Sequence, residues 1–321
     1  MRAPEFWARD GILPALLSPL AGLYAMAGDW RRVATRPYRA AVPVICAGGV
    51  TAGGAGKTPV ALALARRLVG RGRRVHLLSR GYGGSAAGPL AVDPRRHDAA
   101  TVGDEPLLLA AAAPCWVARD RAAGARAAVA AGADIIVMDD GLQNPTLFKD
   151  LSLLVVDGEH GFGNGRVMPA GPLREPVERA LARADAAVLV GEDRAGVAGR
   201  LGATPLLRAR LVAEAPDLAG RRVLAFAGIA RPAKFFAALA ALGAEVVAAG
   251  AFPDHHRYTA DELARLFAAA DRLGALPVTT EKDAVRLPPA ARGRVRAVAA
   301  RLDWDDAAAL DRLLDQALAE G

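Results

Sequence analysis

From residue 42 onward, short apolar runs alternate with longer alanine-rich segments whose apolar positions recur at helical spacing. Strands are expected over 42–47, 75–79, 116–118, 135–139, 153–157 and 187–190, and helices over 59–69, 105–113 and 120–131. The strand runs are apolar at successive positions, as in strands buried on both faces. The pattern therefore predicts an α/β fold with a parallel sheet flanked by helices. Residues 208–219 read as a crossover linker. A smaller second α/β unit is expected beyond it: strand 223–227, helix 232–242, strand 246–248, helix 259–273 capped by Thr259, strand 278–280 and a terminal helix from Asp305. The expected organisation is an N-terminal segment over 1–35, a first unit over 36–215, and a second unit over 216–321 that closes over the first.

The N-terminal segment breaks this pattern. Gly11 to Gly28 holds no charged residue, and Arg31, Arg32, Arg36 and Arg39 follow it. Its length is marginal for crossing a bilayer, and Pro14, Ser18 and Pro19 weaken a spanning helix. Glu5 and Asp10 do not suit a signal peptide. Trp7, Tyr24 and Trp30 suit a headgroup boundary, so a helix lying on an anionic membrane surface is expected, with packing on its own domain as the alternative.

Composition adds limits. The chain has 321 residues, 53% of them hydrophobic but only 5% aromatic, so its core must be built from Ala, Val and Leu. The net charge of +7 reflects either an alanine–arginine bias or an anionic partner. No basic run with interleaved aromatics is present, which argues against nucleic acid. Cys46 and Cys115 lie in apolar runs and read as buried thiols, not as a disulfide or metal pair.

The candidate chemistry sits where strands end. Thr51, Ala52, Gly53, Gly54, Ala55, Gly56, Lys57 and Thr58 follow the first strand and open a helix. Such a loop presents backbone N–H groups to a phosphate chain, with Lys57 reaching the terminal phosphates and the Thr58 hydroxyl a Mg²⁺ ion. Thr51 stands where the strict Walker pattern has glycine. Together these features predict a P-loop NTPase-like sheet. Asp139 and Asp140 end a buried strand, where open α/β sheets bind ligands, and one of the two is expected at the Mg²⁺. Asp104, in Val-Gly-Asp-Glu-Pro, is either a helix N-cap or a base that takes a proton from a substrate hydroxyl. Arg80 and Tyr82 lie in a glycine-rich loop, and Arg119, Arg121, Arg166 and Arg174 fall after strands or in loops where they could grip phosphate. His255 and His256 are expected to reach into a cleft between the units, and Thr280-Glu281-Lys282-Asp283 ends the following strand in the same manner.

Taken in order, Thr-Ala-Gly-Gly-Ala-Gly-Lys-Thr-Pro, Ser-Arg-Gly-Tyr-Gly, Val-Gly-Asp-Glu-Pro, Asp-Asp-Gly-Leu-Gln, Gly-Asn-Gly-Arg, Pro-Ala-Gly-Pro-Leu-Arg-Glu-Pro, Phe-Pro-Asp-His-His-Arg-Tyr and Thr-Glu-Lys-Asp resemble the tetraacyldisaccharide 4′-kinases, the lipid A 4′-kinases of Gram-negative bacteria. The resemblance runs over nearly the whole chain. It implies transfer of the ATP γ-phosphate to the 4′-hydroxyl of a lipid A disaccharide 1-phosphate, with ATP and Mg²⁺, at the cytoplasmic face of the inner membrane. It further implies Asp104 as base with His255 as its partner, and Lys57 and Thr58 at phosphate and Mg²⁺ beside Asp139 and Asp140. Arg80, Tyr82, Glu105, Arg119, Gln143, Asn164 and Arg174 fall near nucleotide or glycolipid on the same resemblance. Gly49, Ala52, Ala55 and Leu142 depart from residues common in that family but keep the loop small and apolar. A monomer is expected. Two other readings share parts of this signal: a GTPase-like metal-insertion factor, for which Thr-Glu-Lys-Asp is a partial guanine-reading echo, and a membrane-docked nucleotide sensor without kinase activity.

Overall fold

The computed structural model describes residues 4–320; expectations touching residues 1–3 and 321 lie outside them. The strands are β1 (Val44–Gly48), β2 (Val75–Ser79), β3 (Leu90–Ala91), β4 (Cys115–Val117), β5 (Ile135–Asp139), β6 (Leu151–Asp157), β7 (Ala186–Val190), β8 (Leu206–Glu214), β9 (Arg222–Ala227), β10 (Glu245–Ala251), β11 (Leu276–Thr280) and β12 (Arg296–Trp304). The helices are α1 (Ile12–Val33), α2 (Lys57–Gly70), α3 (Ala99–Val102), α4 (Asp104–Leu109), α5 (Arg121–Ala130), α6 (Val177–Leu181), α7 (Pro232–Ala241), α8 (Ala260–Leu273), α9 (Glu281–Ala284), α10 (Pro289–Arg292) and α11 (Ala307–Glu320).

The strands form one 12-stranded sheet in the order β10-β9-β11-β12-β8-β7-β6-β1-β5-β2-β4-β3. β1 lies between β5 and β6, parallel to both. Its alternate residues serve opposite faces, as strand geometry requires. Ile45 and Ala47 join α2 and α11 residues such as Leu64 and Leu310, while Val44 and Cys46 join Leu78, Ala125 and Met138. Burying a leucine of this kind contributes roughly 1.5–3 kcal/mol. Both cysteines are free and buried, as the composition suggested.

Residues 208–219 are not a crossover linker. Most of them form β8, which pairs parallel with β7 and antiparallel with β12. β12 divides its length between two partners: Arg296 to Val298 pair with β11, and Ala299 to Trp304 with β8. A single strand therefore joins the two halves, and the loops that follow β9, β10 and β11 meet the first half of the chain. The terminal helix, α11, packs on α2. Leu310, Leu314 and Ala317 enter the core cluster that α2 lines, and Arg71 pairs with Asp315 at 2.8 Å.

Helix α1 runs unbroken for 22 residues through Pro19. Pro14 falls in its first turn, where the missing N–H costs nothing. Ala21, with Leu17 and Ala25, packs on a cluster that includes Val50 and Leu142. Many of its other apolar side chains are exposed: Leu16 is 70%, Leu23 62% and Trp30 74% accessible.

Candidate active site

The glycine-rich loop leaves the buried end of β1 and enters α2 at Lys57. Gly56, the helix N-cap, has φ 85°, a left-handed conformation that side chains resist. The segment 172–174 braces the loop from outside. The Ala52 N–H donates to the Pro172 carbonyl (2.8 Å), and the Arg174 N–H to that of Val50 (2.7 Å). Lys57 Nζ donates to the Gly53 carbonyl (3.0 Å) and lies 3.9 Å from Asp140 Oδ2. The Thr58 hydroxyl donates to Asp139 Oδ2 (3.1 Å).

Asp139 closes β5, the strand beside β1, and is 1% exposed. Its Oδ1 has no hydrogen-bond partner among the described residues. Burial, reinforced by the nearby Glu105 and Asp140 charges, pushes its carboxyl well above the ordinary range. A buried carboxylate of this kind is stable when a cation shares the site, and together with the Thr58 hydroxyl the donor set fits Mg²⁺. Asp140 is engaged differently: Arg174 Nη1 donates to both its oxygens, at 2.8 and 2.9 Å. Gln143 Nε2 donates to the Gly49 carbonyl and to Glu175 Oε1, both at 3.0 Å. Buried Glu175 also takes Arg183 and, from α1, Arg32 Nη1 at 2.9 Å. An unbroken chain of contacts therefore joins the exposed helix to the base of the glycine-rich loop.

Asp104 stands at the start of α4. Gly103 before it has φ 89°, and a Cβ there would lie 2.5 Å from the Tyr82 carbonyl, so glycine lets the 80–84 loop close against α4. Gly103 is the N-cap, not Asp104, which removes the capping alternative. The Asp104 carboxylate faces the second half of the chain instead. Its Oδ2 accepts from His255 Nδ1 (2.8 Å), 151 positions away, and from Arg286 Nε (3.0 Å) and Nη2. Burial pushes this carboxyl up, but the His255 hydrogen bond and the Lys282 and Arg286 charges outweigh it and hold the group well below the ordinary range. Glu105 beside it is raised by burial.

Among the described residues, Asp140 (φ 51°) and His255 (φ 60°) are the non-glycine residues at positive φ. Such conformations cost of order 1–3 kcal/mol and collect at functional sites. Both residues here carry the candidate chemistry.

Arg80, Tyr82 and Arg119 are exposed around the same edge, and Arg119 Nη2 donates to the Ser85 carbonyl at 3.4 Å. Asn164 is turned to another task. Its amide donates to the Phe6 and Ala170 carbonyls (3.2 and 3.0 Å), tying the N-terminal segment down, and no nucleotide or glycolipid role follows from those contacts. Arg166 likewise pairs with Asp10 at 2.8 Å. His256 does not reach Asp104; it pairs with Glu262 at 3.0 Å, inside the Thr259 capping box of α8. Arg121, one of the arginines that follow a strand, opens α5 and is buried, and its Nε lacks a partner among the described residues. Burial and neighbouring Arg80 push its pKa down to about 10. Arg286 and Glu175 join the site without having been assigned a role from the sequence. For Arg286 the available signal was its spacing of one helical turn from Asp283. Asp157, Glu159 and His160 cluster at the end of β6, but Arg231 and Lys234 already supply the positive charge there.

Residues 13–319 match the family model described as tetraacyldisaccharide-1-P 4′-kinase. The tetraacyldisaccharide 4′-kinase of Rhodospirillum centenum is 61% identical, covering 98% of this chain and 96% of that protein. The enzyme of the same name from Gluconacetobacter diazotrophicus is 60% identical, covering 98% of each. Among solved structures, LpxK from Aquifex aeolicus in complex with ATP superposes with a TM-score of 0.77 at 27% identity, over 96% of this chain and 100% of that one. With the glycine-rich loop, the acidic strand end and the match spanning almost every residue, the chain belongs to the tetraacyldisaccharide-1-phosphate 4′-kinase family.

Proposed function

We propose that this kinase transfers the γ-phosphate of ATP to the 4′-hydroxyl with Asp104 as proton acceptor, His255 as its partner, and residues 51–58 as the triphosphate cradle. The observation that carries this reading is the 2.8 Å contact of Asp104 with His255, made across the two halves of the chain. A sugar hydroxyl is a poor nucleophile, so a fixed carboxylate that aligns it and takes its proton is useful. With Nδ1 donating to Asp104, His255 presents Nε2 as an acceptor, and Lys282 Nζ lies 3.4 Å away. Lys57 neutralises charge on the phosphoryl group in transit, and Arg174 keeps Asp140 aligned beside it. Asp139 and Thr58 would hold a Mg²⁺ ion, which would supply positive charge to offset that of the phosphate chain. Arg80, Tyr82 and Arg119, exposed at the same edge, would meet the glycolipid. We infer a monomer of two closing units, the first over 36–215 together with α11. The Asp104→Asn variant tests the reading: ATP should still bind while turnover collapses.

The acceptor is a lipid, and α1 would bring the enzyme to it from the cytoplasmic face of the inner membrane. Its exposed Leu16, Leu20, Leu23 and Trp30 form an apolar surface of the kind that marks membrane or partner contact. Arg31 and Arg36 beside it suit anionic headgroups. Replacing Leu16 and Leu23 together by Glu should abolish sedimentation with anionic vesicles while leaving turnover of detergent-dispersed acceptor intact. Unchanged vesicle binding would refute docking through this helix.

A further inference from the structure

The Thr-Glu-Lys-Asp turn ends in a buried assembly that the kinase reading leaves without a purpose. Asp283 is fully enclosed and accepts from the Gly228 N–H (2.9 Å) and from the hydroxyls of Tyr258 (2.9 Å) and Thr280 (2.6 Å). Arg286, one turn later, is only 3% exposed; its Nη1 donates to Asp283 Oδ1 (3.0 Å) and to the Gly228 carbonyl (2.8 Å). Val285 beside it packs against Val102, Leu107 and Val117, under α4. The guanidinium is thus fixed on one side before it touches the first half of the chain.

Its remaining donors, Nε (3.0 Å) and Nη2, both reach Asp104 Oδ2, which also accepts from His255 Nδ1 (2.8 Å). Oδ1 accepts the Glu105 N–H at 3.1 Å. A carboxylate oxygen offers about two lone-pair sites, so three donors saturate Oδ2 while Oδ1 keeps one free. The other charged groups nearby are Lys282 and Asp254, beyond the imidazole, and Glu105 on α4.

We propose that Arg286 is a positioning residue for phosphoryl transfer: anchored on Asp283 and Gly228, it clamps Oδ2 of Asp104 and leaves Oδ1 to meet the acceptor hydroxyl. This rests on the reading of Asp104 as the base. In the step, a lone pair of the hydroxyl oxygen forms the new bond to the γ-phosphorus. The bond from that phosphorus to the β,γ-bridging oxygen breaks, and its pair leaves on ADP. The hydroxyl proton passes to Asp104 Oδ1. A tightly paired carboxylate is a weak base, but phosphoryl transfer asks more of alignment than of basicity. Arg286 therefore acts on kcat through Asp104, not on substrate affinity.

The test uses the full chain with ATP and the lipid acceptor. Arg286→Gln should lower kcat on the order of a hundredfold, the size of loss a misplaced group gives, with KM for both substrates nearly unchanged, while Tm falls because Asp104 and Asp283 lose a buried partner. Arg286→Lys keeps the charge without the fork and should recover part of that loss. Wild-type kcat in Arg286→Gln, or a loss shared equally by KM for ATP, overturns the proposal. If Arg286→Gln does not fold, Arg286→Lys decides: reduced kcat at unchanged KM supports the clamp, and wild-type kcat overturns it. Asp104→Asn, run in parallel, separates the two readings. Full turnover there removes Asp104 as base and the clamp with it. Collapsed turnover there beside an active Arg286→Gln removes the clamp alone.

Discussion

Asp104→Asn is expected to lower kcat by about 10²- to 10⁴-fold, the usual worth of a positioned general base, while the Kd for ATP stays nearly constant. Two features set this expectation. The carboxylate is buried (6% exposed) and held at Oδ2 by three donors from the second half of the chain, so it sits in one orientation. The Lys57 and Thr58 contacts in the proposed nucleotide cradle involve Asp139, Asp140 and Gly53, and not Asp104. Asparagine keeps the shape but cannot take a proton, and its amide faces Arg286 and His255 with one fewer charge. Titration calorimetry with ATP and initial rates with the lipid acceptor check both halves. Wild-type kcat would remove Asp104 from the chemistry.

Lys57→Ala should be nearly as damaging but distributed differently, with kcat down by about 10²- to 10³-fold and ATP binding weakened as well. Lys57 is the cation placed at the entrance to α2, on a stem that lies against Gly49. Its ammonium can leave the Gly53 carbonyl for a triphosphate without disturbing the loop, because segment 172–174 holds Val50 and Ala52 independently. Losing it leaves phosphate charge that the helix N-terminus alone offsets poorly. Steady-state rates over a range of ATP concentrations read both effects, and unchanged kinetics would count against the loop as the phosphate cradle.

The structural basis of both variants was unevenly legible in the sequence. Strands β1, β2, β5, β6 and β7 are largely apolar runs, and their ends carry Lys57, Thr58, Arg80, Asp139 and Asp140 within short contiguous motifs. β8 was read as a linker because it alternates Arg208 and Arg210 with Leu207 and Ala209, the pattern of a strand half exposed at a seam. β12 was missed because Arg-Ala-Val-Ala-Ala-Arg-Leu-Asp-Trp is alanine-rich, and alanine carries little strand preference. Strand pairing, which local pattern does not encode, turned that seam into one continuous sheet.

The candidate site divides in the same way. Its contiguous motifs could be read one by one, and the resemblance put them in relation. The residues that join the motifs are not legible there, because they act through contacts between segments far apart in the chain. Glu175 gathers Arg32, Gln143 and Arg183, and Arg286 reaches Asp104 across 182 positions. The resemblance puts Gln143 near nucleotide or glycolipid. Its amide instead braces Gly49 against Glu175.

The most direct measurement follows γ-labelled phosphate from ATP during incubation of the full chain with Mg²⁺ and a tetraacyldisaccharide 1-phosphate. The label should appear on the lipid at the 4′ position, as a second phosphate resolved by phosphorus NMR, and only when Lys57 and Asp104 are both intact. Label found solely as inorganic phosphate, or transferred equally well by the Asp104→Asn variant, would contradict the account.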